Sequence, residues 1–346
     1  MCFLHPGLTL LLQATCSNGD GGAVHIPDGY INLITSAGSG AVAAGGLWAA
    51  LKQTGRRLAE KQIPLAGLTA AFLFALQMLN FPVAAGTSGH LLGGALAAIL
   101  LGPSMGILVV AVVVIVQALI FADGGVTALG LNVLNMAIVT APVGWGVFRW
   151  LMKVLPKTTA SGVGATMVAG WVSMIVSSTV FVIEYAIGGQ GGAPLGTVFA
   201  AMTGVHALIG IGEGLISAVV VGAVLAVRSD LVLGTADLAL SRTATAPSGK
   251  AVGGFVAAGL AAALLLVLVV APMASPAPDG LEFVADDTGF AAAAEEHPVG
   301  GPLADYGVAG IENERVGTVV AGAIGVGATF LIGFVLIALI RRRRPA

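Results

Sequence analysis

Charged residues are scarce in this chain, and so are cysteines. Asp, Glu, Lys and Arg make up only 9% of the 346 residues, and 57% are hydrophobic, whereas a soluble domain carries about 25% charged residues. Such a chain cannot cover a surface that faces water, so we exclude a soluble protein and expect no nucleic-acid partner. Both cysteines, Cys2 and Cys16, lie near the start, which leaves the rest of the chain without disulfides or thiolate metal ligands.

Long apolar runs occupy most of the sequence. They are unbroken rather than alternating, which predicts spanning helices rather than barrel strands. We predict nine spans, near residues 31–51, 64–80, 89–102, 104–121, 131–152, 162–187, 197–227, 253–273 and 317–340. The third run is short and is expected to be tilted or partly re-entrant. The predicted fold class is an all-α integral membrane protein, whose 51 glycines suit close helix packing in lipid.

The basic residues predict an orientation. If the chain starts outside, nine spans put 14 of the 15 Lys and Arg residues into inside loops. These are Lys52, Arg56, Arg57, Lys61, Arg149, Lys153, Lys157, Arg228, Arg242, Lys250 and Arg341 to Arg344. Because basic residues concentrate on the cytoplasmic side, we expect a multi-pass protein of the cell (inner or plasma) membrane. Its N-terminus is predicted to be extracytoplasmic and its C-terminus cytoplasmic.

The spans fall into two groups. Residues 24–228 are predicted to form a seven-helix bundle, and residues 229–252 a cytoplasmic linker that contains SRTATAPSGK. Residues 253–346 are predicted to form a two-helix C-terminal module around an extracytoplasmic loop near 274–316. The acidic residues of that loop are Asp279, Glu282, Asp286, Asp287, Glu295, Glu296, Asp305, Glu312 and Glu314, against the single Arg315.

Residues 1–23 form a poor signal peptide, because they lack a basic start, a long apolar core and an A-x-A end. We interpret them as a mis-assigned N-terminal extension, with a weak signal segment as the alternative. GTG encodes valine internally and also serves as a bacterial start codon. If Val24 is that start, the protein begins Met-His-Ile-Pro-Asp-Gly.

Two histidines are predicted on the same outer side of the membrane: His25 ahead of span 1 and His90 at the start of span 3. A free amine, the next amide nitrogen and that residue's imidazole supply three nitrogen donors, and a second histidine supplies a fourth. Ni²⁺ and Cu²⁺ both accept such a square-planar nitrogen set. Spacing alone leaves open whether the two imidazoles bind metal or only hydrogen-bond in the packing.

Four segments carry a family resemblance: HIPDGYI, LNFPVAAGTSGHLLGG, FADGGVTALGLNVLNMAIV and GVHALIGIGEGLI. In this order, over about 24–228, they resemble the CbiM/NikM family, the substrate-specific membrane components of energy-coupling-factor transporters for cobalt or nickel. The resemblance implies metal binding by a terminal amine, by the amide and imidazole of the second residue, and by the GTSGH histidine. These positions are Val24 (read as methionine), His25 and His90. As written, Val24 has no free amine, and in this respect the sequence departs from the family pattern.

Other polar residues are candidates for supporting roles. Asp28 is expected either to orient a histidine ring or to cap the first helix. Thr87 and Ser88 are expected to cap span 3 or to hydrogen-bond near the metal. Asn80, Asp123, Asn132 and Asn135 fit a network that closes over the site, or ordinary interhelical hydrogen bonds.

Glu184, His206 and Glu213 are ionisable residues inside predicted spans. His206 and Glu213 are seven residues apart, hence on one helix face. We interpret them as a buried structural pair, with a part in a conformational step as the alternative. Glu184, near the outer end of span 6, is expected to reach the membrane interface.

The C-terminal part carries a second resemblance. SPAPDGLEFVADDTGF, followed by PLADYGV, is similar to the PDGLE domain, the small accessory (N-type) component of such transporters. Its acidic loop is expected either to attract cations or to be only a solvated loop. The resemblance implies uptake of Co²⁺ or Ni²⁺, for cobalamin biosynthesis or nickel enzymes, with a transmembrane coupling subunit, ATP-binding subunits and membrane lipids as partners. The sequence contains no GxxxxGK[ST] loop of its own.

Two other functions stay open from sequence. Gly86-Thr87-Ser88-Gly89 fits the GxSG motif of rhomboid intramembrane proteases, with Ser88 as nucleophile and His206 as base. The motif is short, and Ser88 is predicted near the surface while His206 lies well inside span 7. A metal sensor without transport is the third possibility.

Overall fold

A computed structural model describes residues 25–57, 60, 62–84, 86–236, 249–298 and 300–342. Residues 1–24, including Val24, and residues 237–248 of the predicted linker lie outside this part of the chain, as do Lys61, Arg343 and Arg344. The described chain is almost wholly helical and confirms the predicted all-α membrane fold.

The N-terminal bundle contains α1 (Leu33–Arg57), α2 (Gln62–Gln77), α3 (Gly94–Leu101) and α4 (Pro103–Ile120). Next, α5 (Leu129–Val133) continues through a π-helical turn, Leu134–Val139, into α6 (Thr140–Val154). The bundle ends with α7 (Thr159–Gly188) and α8 (Leu195–Arg228). Two-residue strands, β1 (Phe81–Pro82) and β2 (Ser88–Gly89), pair antiparallel between α2 and α3.

The C-terminal module begins with α9 (Gly249–Leu265), which continues through a π-helical turn, Leu266–Val270, and a 3₁₀ turn, Ala271–Met273. Helix α10 (Gly280–Thr288) and 3₁₀ turns at Ala291–Ala293 and Ala304–Tyr306 follow, and α11 (Glu314–Arg342) closes the described chain. Within the described residues, seven helical segments are long and apolar enough to cross a membrane, five in the bundle and two in the module. Helix α2, with 16 residues, is shorter.

The third predicted span, expected to be tilted or partly re-entrant, is not a continuous spanning helix. Only Gly94–Leu101 of the region 89–102 is helical, and eight residues rise about 12 Å, against a hydrocarbon core of about 30 Å. Gly93 and Gly102 flank the helix with φ of 79° and 87°, and Pro103 starts the next helix. Both glycines adopt backbone conformations that side chains with a Cβ disfavour, so the apolar run is broken at both ends.

Protein rather than lipid surrounds α3. Ala95, Ala97, Ala98 and Ile99 are fully buried, and Gly144 of α6 lies directly against Ala95. Small residues allow this close approach of helix backbones. Non-helical backbone at membrane depth requires such burial, because lipid offers no hydrogen-bond partners.

The C-terminal module covers α2. Helix α11 packs along α2, with Gly67 against Phe330 and Gly325 against the ring of Phe74, while Gly259 of α9 packs on Leu68. Most α2 residues are buried in consequence. The two predicted groups of spans therefore share an extensive interface.

Replacing Gly325 by alanine is expected to destabilise that interface, because its Cβ would overlap the Phe74 ring. Overpacking of this kind costs about 1–3 kcal/mol, measurable as a lower free energy of unfolding in detergent. Gly327→Ala is the matched control, since its Cβ meets open space on the same helix. Equal stability of the two variants would contradict the packing.

Candidate metal centre

His25 and His90 come together at one end of the bundle. Both are buried, with 3% and 8% of their surface exposed, and their ring centroids are 5.4 Å apart at an interplanar angle of 70°. At metal–nitrogen distances of about 2.0–2.1 Å, two imidazoles that share an ion have centroids roughly 4.5–6.5 Å apart. The spacing is therefore compatible with one ion between the rings.

Other donors have to complete such a site. In the described residues, no three His, Cys, Asp or Glu side chains cluster closely enough to hold a metal. Backbone nitrogens at His25 and at the preceding residue are the predicted remaining donors. Val24 lies outside the described residues, so its predicted role stays a prediction.

A cavity of about 70 Å³ adjoins both rings and extends into the bundle. Its lining includes Asn135, three methionines (Met136, Met174 and Met202), His206 and, from the C-terminal module, Asp279 to Leu281. His25 Nε2 and Asn135 Oδ1 are buried here with no hydrogen-bond partner in the described part of the chain. Buried polar atoms are usually paired, so two unpaired atoms on one cavity point to a missing cation or donor.

Asp123 and Tyr306 hold the His25 ring. His25 Nδ1 lies 3.4 Å from Asp123 Oδ1, and the Tyr306 hydroxyl donates to Asp123 Oδ2 at 2.6 Å. Gln117 Nε2 donates in turn to the Tyr306 oxygen at 3.1 Å. Burial, then the Asp123 charge, raises the pKa of Tyr306 well above its usual value, so this hydroxyl remains a donor. The Tyr306 hydroxyl thus fixes the Asp123 carboxylate beside the His25 ring.

Backbone strain accumulates at the same place. Ala122, Asp305 and Tyr306 are the non-glycine residues of the described chain with positive φ, at 56°, 53° and 56°. The Asp305 amide donates to the Phe121 carbonyl at 2.8 Å, and the rings of Phe121 and Tyr306 stack at 5.1 Å. Each such conformation costs about 1–3 kcal/mol, so the surrounding contacts must hold it in place.

Asn132 fixes the backbone beside His25. Its Oδ1 accepts from the Ile26 amide and its Nδ2 donates to the Ile26 carbonyl, both at 3.0 Å. The Gly125 amide donates to the same carbonyl at 2.9 Å. From sequence, Asn132 and Asp123 are predicted only as members of a polar group, because local spacing does not show that residues about 100 positions apart in the chain meet.

Asp28 has a different role from either expected one. Its carboxylate accepts from the amides of Val126, Thr127 and Ala128 and from the Thr127 hydroxyl. Asn32, not Asp28, accepts from the Thr35 amide in the first turn of α1. Asp28 thus links the His25–Gly29 turn to the 126–128 loop by hydrogen bonds. The carboxylate that contacts the His25 ring is that of Asp123.

The His90 loop is held by Glu213. The Glu213 carboxylate accepts from the Leu92 amide at 2.7 Å and from the Gly93 amide at 3.1 Å. His90 Nδ1 lies 3.2 Å from the Leu91 carbonyl. Burial, followed by the neighbouring His25, lowers the pKa of His90 to about 4, which keeps the imidazole in its neutral, metal-binding form at neutral pH.

His206 and Glu213 do not form the expected structural pair. His206 Nδ1 faces the Met202 carbonyl at 2.8 Å, whereas Glu213 binds the His90 loop. His206 instead lines the cavity. The i, i+7 spacing correctly placed both on one helix face, but each has its own partner.

Ser88 and Thr87 neither cap α3 nor contact the histidine rings. The Ser88 hydroxyl donates to the Ala277 carbonyl at 2.8 Å, and its amide donates to the Pro278 carbonyl. Thr87 donates to the Ser88 carbonyl. The protease alternative is wrong in its geometry, because Ser88 and His206 hydrogen-bond to separate backbone carbonyls rather than to each other.

Glu184 does not reach the membrane interface as expected. Only 5% of it is exposed, and it accepts hydrogen bonds from Ser39 Oγ at 3.1 Å and from Asn135 Nδ2 at 2.6 Å. The Asn135 carbonyl, inside the π-helical turn, accepts from Ser177 Oγ. Glu184 therefore stabilises the π-helical turn, whose residues Asn135 and Met136 line the cavity. Turns of this kind are frequent at functional sites.

Tyr306→Phe is expected to weaken Ni²⁺ binding about 10- to 100-fold, because Asp123 loses the donor that fixes it against His25. The ring and its stacking on Phe121 are retained. Calorimetric titration of the purified protein measures the change. Tyr185→Phe is the control, since the Tyr185 hydroxyl donates to the Gln190 carbonyl and accepts from the Ala193 amide, and neither bond involves Asp123. Unchanged affinity in Tyr306→Phe would rule out the positioning role.

Comparison with known proteins gives two family matches and several relatives. Residues 25–231 match the CbiM family, described as a cobalt uptake substrate-specific transmembrane region, and residues 253–342 match the PDGLE domain. A putative fused nickel transport protein NikMN of Archaeoglobus fulgidus is 36% identical over 322 residues, 90% of this chain and 98% of that protein. A putative metal transport protein of Haloquadratum walsbyi is 38% identical over 209 residues, 60% of this chain and 93% of its own length.

A solved structure shares the fold. A crystal structure of a transition metal transporter has a TM-score of 0.53 and 29% identity, and the match covers 63% of this chain and all of that one. The protein is thus a multi-pass membrane component of cobalt or nickel transport, not an enzyme, with the metal as transported substrate. The chain belongs to the CbiM family and carries a fused C-terminal PDGLE domain.

Proposed function

We propose that this chain is the substrate-binding component of an energy-coupling-factor importer for Ni²⁺ or Co²⁺. The observation that carries the proposal is the 5.4 Å approach of the His25 and His90 rings above a buried cavity. Two imidazoles at a buried site are suitable ligands for either ion.

The metal is captured by four nitrogens: the terminal amine at position 24, the amide and imidazole of His25, and the His90 imidazole. The hydrogen bonds of Asn132 to Ile26 support this set, because they hold the backbone next to His25 inside the bundle. The proposal requires the chain to begin at position 24, with Val24 read as methionine. A square-planar nitrogen set favours Ni²⁺, and Co²⁺ accepts nitrogen donors as well.

Capture takes place on the extracytoplasmic face. At the end of the bundle away from the histidines, Arg149 donates to the Gly234 carbonyl, Arg341 pairs with Glu60, and Arg228 with Asp230. The segment 88–102 runs from the histidine end of the bundle to the opposite end. Its first residue, Ser88, donates to the Pro278 carbonyl of the acidic loop, and its last, Gly102, packs on Leu233. Basic residues favour the cytoplasmic side, which supports this orientation.

Energy for transport comes from partners. A transmembrane coupling subunit and ATP-binding subunits complete the importer, which supplies cobalamin biosynthesis or nickel enzymes. Exposed apolar side chains along the long helices, such as Leu215 and Val219 of α8, are the surfaces that face lipid or the coupling subunit.

A chain that starts at Met-His-Ile is expected to bind Ni²⁺ tightly, whereas a chain that retains residues 1–23 is expected to bind at least about 100-fold more weakly. The reason is that the extension converts a donor amine into a peptide nitrogen and removes one of four ligands. Calorimetry on both purified forms measures the difference. Equal, tight binding would show that the amine is irrelevant, and mass spectrometry of the native N-terminus gives an independent check.

His25→Ala and His90→Ala are each expected to reduce nickel and cobalt accumulation, in cells that also produce the partner subunits, to the level of cells without this gene. Each substitution removes one nitrogen donor. Ser88→Ala is the control and should retain most uptake, because it loses only a hydroxyl bond to a backbone carbonyl, a contribution of about 1 kcal/mol. Undiminished accumulation in the double histidine variant would overturn the proposed function.

A further inference from the structure

We propose that Asp279 of the C-terminal module is a metal ligand at an outer capture site, where its carboxylate and the His90 imidazole hold the incoming Ni²⁺ or Co²⁺ before the ion reaches the nitrogen set. The inference rests on the proposed function. In this proposal the fused module supplies a ligand to the metal ion as the ion enters the bundle.

The distance between the two groups suits a shared ion better than a hydrogen bond. His90 Nε2 and Asp279 Oδ2 are 3.8 Å apart, which is beyond hydrogen-bond range. An ion bound at about 2.0–2.2 Å from both a nitrogen and an oxygen separates them by up to roughly 4 Å. His90 Nδ1 faces the Leu91 carbonyl at 3.2 Å, so in the neutral ring Nε2 is the atom with the lone pair.

Asp279 is fixed in place by its own helix. Its Oδ1 accepts from the Leu281 and Glu282 amides, each at 2.8 Å, and its own amide donates to Glu282 Oε2 in a capping box. The residue is 3% exposed. The cap occupies one carboxylate oxygen and aims the other at His90, so the ligand atom needs no reorganisation to meet an ion.

A helix-capping role alone does not account for this burial. An exposed aspartate caps a helix equally well, whereas a buried carboxylate pays for desolvation unless a cation or donors surround it. An incoming divalent cation compensates that desolvated charge.

A second observation points to a ligand at the same place. His25 Nε2 is buried without a hydrogen-bond partner in the described residues and lines the cavity together with His90 and Asp279. Helix α10 reaches this cavity because Gly280 packs directly on Ile209, with His206 close by. The capture site and the nitrogen site are thus adjacent parts of one cavity.

The acidic loop attracts cations electrostatically toward Asp279. Asp286, Asp287, Glu295 and Glu296 are exposed around α10, and such a field raises the local concentration of cations and their association rate. A mixed oxygen and nitrogen site accepts an ion that still keeps water ligands. The oxygen of Asp279 then leaves as a nitrogen donor binds, and no change of oxidation state is involved.

Asp279→Asn tests the proposal, because asparagine retains the capping oxygen but removes the charge. The purified protein that starts at Met-His-Ile, with its C-terminal module, is mixed with NiCl₂ in a stopped-flow instrument. The Asp279→Asn variant is expected to show an association rate about tenfold or more below that of the wild type. The dissociation rate, measured with an excess of chelator, should change less than about twofold, since Asp279 is absent from the final ligand set. Asp287→Asn, an exposed position on the same helix, is the control for the loss of one charge.

An association rate equal to wild type, or equally slow association in Asp279→Asn and Asp287→Asn, would overturn the capture site. Faster dissociation from Asp279→Asn with an unchanged association rate would also overturn it. If the asparagine variant does not fold, Asp279→Ser, which also caps helices, replaces it. His25→Ala and His90→Ala in the same assay test the proposed function separately: normal equilibrium binding by both rejects the nitrogen site, whatever Asp279→Asn does.

Discussion

The double hydrogen bond between the Asn132 side chain and the backbone of Ile26 holds the segment next to His25 inside a membrane bundle. Backbone groups cannot be left unpaired in a medium without water, because each unpaired group costs several kcal/mol. The Asn132 amide replaces the partners that a helix or a strand would give. Asp28 acts in the same way on the 126–128 loop. These bonds allow a histidine on irregular backbone to be buried where only helices are usually stable.

The same principle governs the second histidine. The strand and loop that carry His90 lie beside a short helix of which every residue but Leu100 is buried in protein. Glu213 supplies acceptors for two of the loop's amides, and Glu184 holds the side chain of Asn135 in the π-helical turn. Carboxylates within the bundle therefore serve to satisfy donors that the irregular segments leave open. The segment that carries each candidate metal-binding imidazole depends on such a partner, which places the polar residues of this apolar chain around the cavity.

Much of this architecture is predictable from sequence, and the remainder depends on contacts between distant residues. Apolar runs and basic loops predicted the spanning segments and placed His25 and His90 at one end. Hydropathy alone could not locate the two ends of the short helix in the third run, because Leu91 and Leu92 count as apolar although the helix begins only after Gly93. The partners of Asp28, Glu184 and Glu213 lie 49 to 145 positions away in the chain. Local spacing carries no information about such pairs, which is why all three were assigned other roles.

The strained backbone at the junction shows how closely the C-terminal module is integrated with the bundle. A module that served only as a tether would have no need of left-handed conformations at Asp305 and Tyr306 opposite another at Ala122. Such conformations persist where surrounding contacts enforce them, here the Tyr306 hydroxyl on Asp123 and the Asp305 amide on Phe121. The strain places one phenol within reach of the carboxylate that faces His25, while Asp279, from the same module, faces His90. Both imidazoles thus have an acidic neighbour whose position is set by the fused module, so the geometry of the metal centre depends on the interface between the two domains.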